Sequence, residues 1–151
     1  MSGLPTSSLE RLKSPGAISI SMDFADDSKD ISQLVNVAEA IVAEPDNVDQ
    51  WMEMYGFRWD GSSYARGSGS TVSADLEEGL VAMGTSVRGL SGKESLYSAA
   101  SLLKMSDARW VNTAGCALMH ALQSDLLSRR RRSRLSDYEN DLLKRISRFS
   151  R

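Results

Sequence analysis

The amino-acid sequence predicts a mainly α (α+β) fold, with about six helices around a core helix near residues 107–128 and a small β-hairpin at 57–65. Three observations support this prediction. Apolar residues recur at helical spacing along most of the chain, an Asp-Gly pair separates two short runs that contain aromatics, and residues 114–122 are almost entirely apolar. A length of 151 residues is typical of one domain with its own core.

The first third of the chain contains an arm, a strand signal and a helix signal. Residues 1–16 are rich in Ser, Gly and Pro without an apolar period, which predicts a flexible arm. Apolar and polar residues alternate over 18–24, which predicts a short N-terminal strand. Asp30 with Gln33 predicts the capped start of a helix, and Pro45 ends that helix and suits the first position of another.

The hairpin is predicted from its turn and from the aromatic residues on both sides of it. Asp60 and Gly61 favour a two-residue type I′ turn, because both central positions of that turn need positive φ. This turn would pair Phe57 with Tyr64 and Trp59 with Ser62, all on one face.

The rest of the chain predicts four helices, the last of them amphipathic. Their starts are indicated by Ser73, by a capping box of Ser91 and Glu94, by Ser106 or Asp107, and by a capping box of Ser136 and Glu139. The last helix places Tyr138, Leu142, Ile146 and Phe149 on one face. That apolar face needs a partner, which could be the body of the protein, a second copy or a target protein.

Charge is distributed very unevenly along the chain. Residues 1–128 carry 17 acidic and nine basic residues, a net charge of −8, whereas residues 129–151 carry nine basic and three acidic residues, a net charge of +6. We therefore divide the chain into the arm, an acidic helical body at 17–128 and a basic segment at 129–151. Such polarity can hold a polyanion at one end or join neighbours head to tail, which makes a homo-oligomer an expected state.

The basic segment is the candidate nucleic-acid-binding site. Guanidinium groups stay protonated and grip phosphate through two parallel hydrogen bonds, so a cluster of them is a common means of holding a nucleic-acid backbone. Such contacts carry little sequence information. The predicted phosphate-binding residues are Arg129, Arg130, Arg131, Arg132, Arg134, Lys144, Arg145 and Arg148, and Arg151 continues the series.

The same arginine run has other interpretations. It could be a nuclear-import signal, a contact with the acidic body of a neighbouring copy, or a membrane-surface contact beside an amphipathic helix. An adaptor protein would use the last helix to bind a partner's groove, and the arginines would serve only as a nuclear-import or membrane-surface signal.

Aromatic residues are concentrated near the hairpin. Five of the ten aromatics lie between Trp51 and Tyr64. Arg58 and Trp59 could therefore stack and hold unpaired bases, and we include both among the candidate binding residues. The preferred interpretation is nevertheless structural, since a one-sided aromatic face is what a small sheet needs in order to pack against helices.

Catalytic and metal chemistry have little support in the sequence. Cys116 and His120 would be neighbours on one helix face, but a metal needs more ligands and a Cys nucleophile needs an oriented base. A structural role is the better interpretation of this pair. We therefore expect no enzyme activity, cofactor, metal site or small-molecule substrate.

These observations together predict a non-catalytic, self-associating protein that binds nucleic acid, with RNA favoured. A viral nucleocapsid, matrix or accessory protein would fit the description. The N-terminus lacks a secretory pattern, no apolar stretch reaches the ~20 residues of a membrane span, and a single cysteine suits a reducing compartment. We therefore expect a cytoplasmic or nuclear location and no secretion.

Overall fold

A computed structural model describes residues 17–68 and 70–149 of the protein, so the predicted arm at 1–16 lies outside the described residues. Its contacts divide the chain into two units, Met1–Gln33 and Leu34–Arg151. The described elements, in chain order, are α1 (Ala17–Ala43), a 3-10 turn (Pro45–Asn47), α2 (Val48–Met54), β1 (Phe57–Trp59), β2 (Tyr64–Arg66), α3 (Ala74–Val87), α4 (Lys93–Lys104), α5 (Arg109–Arg132) and α6 (Asp137–Phe149). The mainly helical α+β prediction is confirmed.

The predicted N-terminal strand at 18–24 is wrong, because α1 runs through it without interruption. The predicted helix start at Asp30 is wrong for the same reason, since Asp30 lies inside α1. Seven alternating residues are too few to exclude the start of a long helix, and no Gly or Pro breaks the chain between Ala17 and Ala43. A helix can satisfy its own backbone there, whereas a lone strand needs a partner. The predicted end before Pro45 is confirmed.

The hairpin forms as predicted, but its register is shifted by two residues. Trp59 pairs with Tyr64, and the Asp60 amide donates to the Ser63 carbonyl at 2.9 Å, so Gly61 and Ser62 occupy the centre of the turn. The Asp60 carboxylate explains the shift, because its Oδ1 accepts from the amides of Ser62 and Ser63, both at 2.9 Å. A shift of two keeps every side chain on its predicted face.

Two of the four helix caps predicted after the hairpin are confirmed, at Ser73 and Ser136. The Ser73 hydroxyl accepts from the Leu76 amide at 3.0 Å at the start of α3. Before α6, the Ser136 hydroxyl accepts from the Glu139 amide and Glu139 Oε1 accepts from the Ser136 amide, both at 3.1 Å. The predicted box of Ser91 and Glu94 is not formed.

Glycine takes the place of that predicted box at the start of α4. Gly92 is the N-cap, with a φ of +87° that suits glycine, and no side chain caps this end. Glu94 points elsewhere, to an arginine of α6 described below. The core helix α5 begins at Arg109, slightly later than predicted, with the Ser106 hydroxyl accepting from the Ala108 amide at 3.1 Å.

Helix α5 forms the centre of the core, as predicted. It packs against α3, α4 and α6. Its closest approach is to α4 at Gly115, where an added Cβ would lie 2.6 Å from the Lys104 amide nitrogen and 2.9 Å from the Ala100 carbonyl oxygen. Its buried side chains occupy most of the helix circumference, namely Trp110, Ala114, Ala117, Leu118, Met119, Ala121, Leu122 and Leu126.

Helix α6 buries the centre of its apolar face within the same chain, whereas Tyr138 on that face is 48% exposed and the side chain of Phe149 lies outside the described part. Leu142 and Ile146 are fully buried, and Leu135, just before the helix, is buried as well. The helix packs on α5. Of the three partners considered for this face, the body of the protein is therefore the one that covers it. This packing fixes the polar side of α6 beside the last turns of α5.

Candidate nucleic-acid interface

The arginine run belongs to the core helix. Arg129–Arg132 form the last turn of α5, and Arg134 lies in the short connection to α6. Helix continues through them because no Gly or Pro intervenes. Cations in a final turn are also favoured by the partial negative charge of the helix C-terminus. The arginines are thus carried by a helix whose buried face packs in the core.

Arg129 forms an ion pair within the chain. Its Nη1 lies 2.8 Å from Glu139 Oε2, and the Glu139 side chain is 17% exposed. Hydrogen bonding from the Ser136 backbone, with a further contribution from the Arg129 charge, holds the pKa of Glu139 below its ordinary value. Arg129 therefore helps to fix the start of α6 on the end of α5.

Arg145 is also used inside the chain, as a connector between α6 and α4. Its two terminal nitrogens lie 3.1 and 2.9 Å from the two carboxylate oxygens of Glu94. Its Nε lies 3.2 Å from Asp141 Oδ2, an ion-pair distance without hydrogen-bond geometry. The guanidinium carbon also lies 5.2 Å from the ring centroid of Tyr97. Side-chain hydrogen bonding to Arg145 lowers the pKa of Glu94.

The remaining cations of the segment face outward, and together they define the C-terminal basic surface. All are exposed, and none forms an ion pair with a carboxylate in residues 17–68 or 70–149. The members of this surface are Arg130, Arg131, Arg132, Arg134, Lys144 and Arg148. Arg151 lies outside the described residues. Eight residues between Arg129 and Arg148 were predicted to bind phosphate. Six of them are exposed without an ion pair, and the other two, Arg129 and Arg145, form ion pairs within the chain.

Part of the C-terminal basic surface lines a groove between α5 and α6 of about 400 Å³. Arg130 of α5 faces Lys144 and Arg148 of α6 across it. The other lining residues are Leu127, Asn140, Leu143 and Ser147. The groove thus combines three cations with an apolar patch and two polar side chains.

Sequence reasoning missed the uncharged members of this groove. A helical spacing was the available signal, because Asn140, Lys144 and Arg148 are four residues apart and Leu143 and Ser147 lie beside them on α6. The α5 residues could not be assigned to the same groove, since that requires knowing how the two helices pack.

Arg58 and Trp59 lie elsewhere in the fold. They line an open concavity of about 690 Å³ beside the hairpin, together with Glu53, Asp60 and Arg66. This concavity contains no residue of the C-terminal basic surface, and the groove between α5 and α6 contains neither Arg58 nor Trp59. Arg58 is exposed, but the carboxylates of Glu53 and Asp60 beside it make this concavity less attractive to phosphate than the C-terminal groove.

Trp59 is already engaged by its neighbours. The Arg88 guanidinium carbon lies 4.1 Å from its ring centroid, and the Tyr64 ring meets it edge-on at a centroid distance of 5.1 Å. Trp59 is half-buried, whereas Phe57 and Tyr64 are buried. The hairpin aromatics therefore belong to the core and its margin, which agrees with the preferred structural interpretation.

A polar cluster behind Trp59 was not found from the sequence. Arg88 Nε and Nη2 donate to Asp49 Oδ1 and Oδ2 at 3.0 and 3.2 Å, and the Tyr64 hydroxyl donates to Asp49 Oδ1. Hydrogen bonds from Arg88 and, to a smaller extent, from Tyr64 lower the pKa of Asp49. Burial of the Tyr64 hydroxyl and its hydrogen bond to Asp49 raise the pKa of Tyr64. The cluster joins α2, the hairpin and the end of α3.

Cys116 and His120 are exposed on the polar side of α5, as the helical spacing predicts. Cys116 Sγ lies 3.7 Å from Asn112 Oδ1, one turn earlier. Within residues 17–68 and 70–149, no three His, Cys, Asp or Glu side chains form a group that could hold a metal ion. The pair supplies no site of its own.

Comparison with protein-family models, curated proteins and solved structures found no match to this chain. A search of the described helices for membrane spans found none with the required length and hydropathy.

Proposed function

We propose that this protein is a non-catalytic nucleic-acid-binding protein, with RNA favoured, that holds phosphates on its C-terminal basic surface. One observation carries the proposal: six exposed cations on the last turn of α5, the connection after it and the second half of α6 form no ion pair with a described carboxylate, and three of them line one groove. Cations with solvent on one side and no partner carboxylate are the groups that a polyanion can neutralise.

The residue types favour phosphate as the ligand. Five of the six cations are arginines, whose planar guanidinium matches two phosphate oxygens at once. Four of them lie within five residues at the end of a helix whose other face is buried, so their backbones are held in place. Ordering long side chains costs less when the backbone is already fixed.

The rest of the chain supports a role in organising nucleic acid. Residues 1–128 carry a net charge of −8, which would repel phosphate from the body and restrict binding to one end. The same polarity favours contact between the basic end of one copy and the acidic body of another. Self-association along a nucleic acid, as in a viral nucleocapsid or accessory protein, is the arrangement that we propose.

The adaptor alternative is less well supported. An amphipathic helix that binds a partner's groove must present its apolar face. Leu142 and Ile146 of α6 are fully buried in their own chain, and Arg145 and Arg129 hold both ends of that packing. Release of α6 would expose core residues before any partner could bind.

A salt titration of RNA binding tests the proposal. Fluorescence anisotropy of a labelled single-stranded RNA is measured with the full chain at several salt concentrations. We expect affinity to fall steeply, by about 0.7 log units per log unit of salt for each phosphate contact. Substituting Arg130, Arg131, Arg132 and Arg134 together with Gln should weaken binding and flatten that slope by up to about 3.

A charge-preserving variant is the matched control. Replacing the same four arginines with Lys keeps every positive charge but removes the planar fork. It should retain most of the salt dependence while losing part of the affinity. If the wild-type protein fails to bind RNA or DNA at low salt, or binds with an affinity that salt does not change, the proposal is wrong.

A further inference from the structure

The groove between α5 and α6 has a composition that simple phosphate binding does not require. Arg130 lies on the α5 side, and Lys144 and Arg148 lie on the α6 side. Between them the groove is lined by Leu127, which is half-buried, and Leu143, which is 5% exposed. A surface that only neutralises charge would need no such apolar patch.

The remaining two lining residues are polar and can bond to a neutral ligand. Asn140 is half-buried, and its Nδ2 donates to the Leu135 carbonyl at 3.4 Å, which leaves the amide oxygen to accept. Ser147 is exposed and can both donate and accept. The groove therefore offers charge, apolar contact and hydrogen bonding within one space.

We infer that this groove holds one unpaired nucleotide. Its phosphate would contact the three cations, its base would lie over the two leucines, and Asn140 and Ser147 would bond to the base edge. The inference rests on the proposed function and adds a ligand class to it: single-stranded nucleic acid is preferred over duplex.

Size and chemistry support a nucleotide. The groove's volume of about 400 Å³ falls in the range of about 300–1,000 Å³ that small-molecule sites occupy, and it exceeds what a lone phosphate fills. In a duplex the bases are stacked inside and only the backbone would reach the cations, so the apolar patch would stay empty. A splayed base can enter, as in most sequence-specific RNA recognition.

An acidic lipid headgroup is the competing ligand, and the fold disfavours it. A membrane-bound amphipathic helix inserts its apolar face between lipids. The centre of the apolar face of α6 is instead buried, with Leu142 and Ile146 fully covered and Tyr138 exposed at its start. The cations could still attract anionic vesicles, but no broad apolar face accompanies them.

Two triple variants of the full chain separate the groove from general electrostatics. The groove variant carries Arg130→Gln, Lys144→Gln and Arg148→Gln. The matched variant carries Arg131→Gln, Arg132→Gln and Arg134→Gln, which removes the same three charges from exposed residues that do not line the groove. Binding is measured by anisotropy with a single-stranded RNA and with a blunt-ended RNA duplex of equal length, at one fixed salt concentration.

We expect the wild type to prefer the single strand by about tenfold, which corresponds to ~1.4 kcal/mol, because only an unpaired base can reach the two leucines, Asn140 and Ser147. The groove variant should lose that preference. The matched variant should weaken both RNAs by a similar factor and keep their ratio.

A steric variant tests the groove without changing charge. Ser147→Trp would fill the space between α5 and α6, while Ser133→Trp places the same side chain on an exposed residue outside it. Thermal unfolding confirms that both variants fold. Ser147→Trp should abolish the preference for single strands and leave heparin binding unchanged, whereas Ser133→Trp should preserve the preference.

The outcomes separate this inference from the proposed function. If the wild type binds neither RNA nor heparin, the proposed function fails. If it binds both RNAs equally, or if the two triple variants alter the ratio alike, the groove inference fails and polyanion binding stands. Binding to vesicles that contain phosphatidylserine, lost with Ser147→Trp while the RNA ratio is unchanged, would assign the groove to lipid headgroups and also overturn it.

Discussion

Arg145 of α6 holds the carboxylate of Glu94 in α4 through two parallel hydrogen bonds of 3.1 and 2.9 Å. This pair joins residues 51 positions apart in the sequence. It separates the cations of the C-terminal segment into two groups, because Arg145 and Arg129 fix α6 to the body while the C-terminal basic surface stays exposed. Removal of a cation should therefore have different consequences in the two groups.

Substituting Glu94 with Gln should change the pH dependence of stability. The pKa of Glu94 is lowered in the fold, so its ion pair stabilises the protein at pH values above the ordinary 4.5 and is lost as pH falls below that value. The variant should unfold at a lower temperature than the wild type at neutral pH, and the difference should vanish in acid.

Glu78→Gln is the control for that experiment. Glu78 is an exposed carboxylate of α3 that forms no ion pair with a described residue. Its substitution should leave the melting temperature unchanged at both pH values. A Glu94 variant that behaves like this control would show that the Arg145 contact contributes nothing to stability.

Substituting Ser136 with Ala should destabilise the start of α6. The change removes the hydroxyl that accepts from the Glu139 amide, and loss of an N-cap costs about 1 kcal/mol. Urea denaturation followed by circular dichroism measures the loss. Ser91→Ala should be neutral, because Gly92 and not Ser91 caps α4; equal losses in the two variants would contradict this assignment.

Substituting Gly115 with Ala should destabilise the crossing of α4 and α5. The new Cβ would lie 2.6 Å from the Lys104 amide nitrogen. Because that nitrogen belongs to the backbone, the clash is relieved only if the two helices move apart. Overpacking costs ~1–3 kcal/mol and outweighs the ~0.5–1 kcal/mol gained from higher helix propensity, for a net loss of about 1 kcal/mol in chemical denaturation.

Gly84→Ala is the comparison for this prediction. Its added Cβ would meet the Met52 sulfur at 2.9 Å and the Tyr64 ring at 3.0 Å, and these side chains can shift more easily than a helix backbone. We expect a smaller loss than at Gly115. The packing argument fails if Gly84→Ala costs more.

Substituting Trp59 with Ala should lower stability without weakening nucleic-acid binding. The ring is half-buried and contacts Arg88 and Tyr64, so we expect a loss of roughly 2 kcal/mol, about half that of a fully buried Trp. Thermal unfolding and RNA anisotropy on the same sample measure both quantities. A variant with wild-type stability and weaker RNA binding would instead assign Trp59 to the binding surface.

Local signals predicted much of the fold. The caps at Ser73 and Ser136 depend on residues three positions apart, and the core position of α5 follows from its apolar run. The prediction of a strand at 18–24 was wrong because seven residues are too few to distinguish a period of 2 from the start of a long helix. The predicted hairpin register was wrong because the Asp60 carboxylate accepts hydrogen bonds from the amides of Ser62 and Ser63 in the turn.

Tertiary pairing decided what the sequence could not. Ser91 and Glu94 match the pattern of a capping box, but the Glu94 carboxylate forms an ion pair with Arg145 instead. The sequence around Glu94 contains no signal for a partner 51 residues away. For the same reason the eight predicted cations looked equivalent. The packing of α6 on α5 separates Arg129 and Arg145 from the others and creates the groove that Arg130 shares with Lys144.

The most direct measurement of the central claim is size-exclusion chromatography of the full chain at low salt, with absorbance recorded at nucleic-acid and protein wavelengths. The wild type should elute in a nucleic-acid-rich peak larger than a monomer, and nuclease or high salt should remove that absorbance. The Arg130, Arg131, Arg132 and Arg134 to Gln variant should elute free of nucleic acid. A wild-type peak that never carries nucleic acid, even after RNA is added at low salt, would contradict the claim that its exposed guanidinium groups bind phosphate.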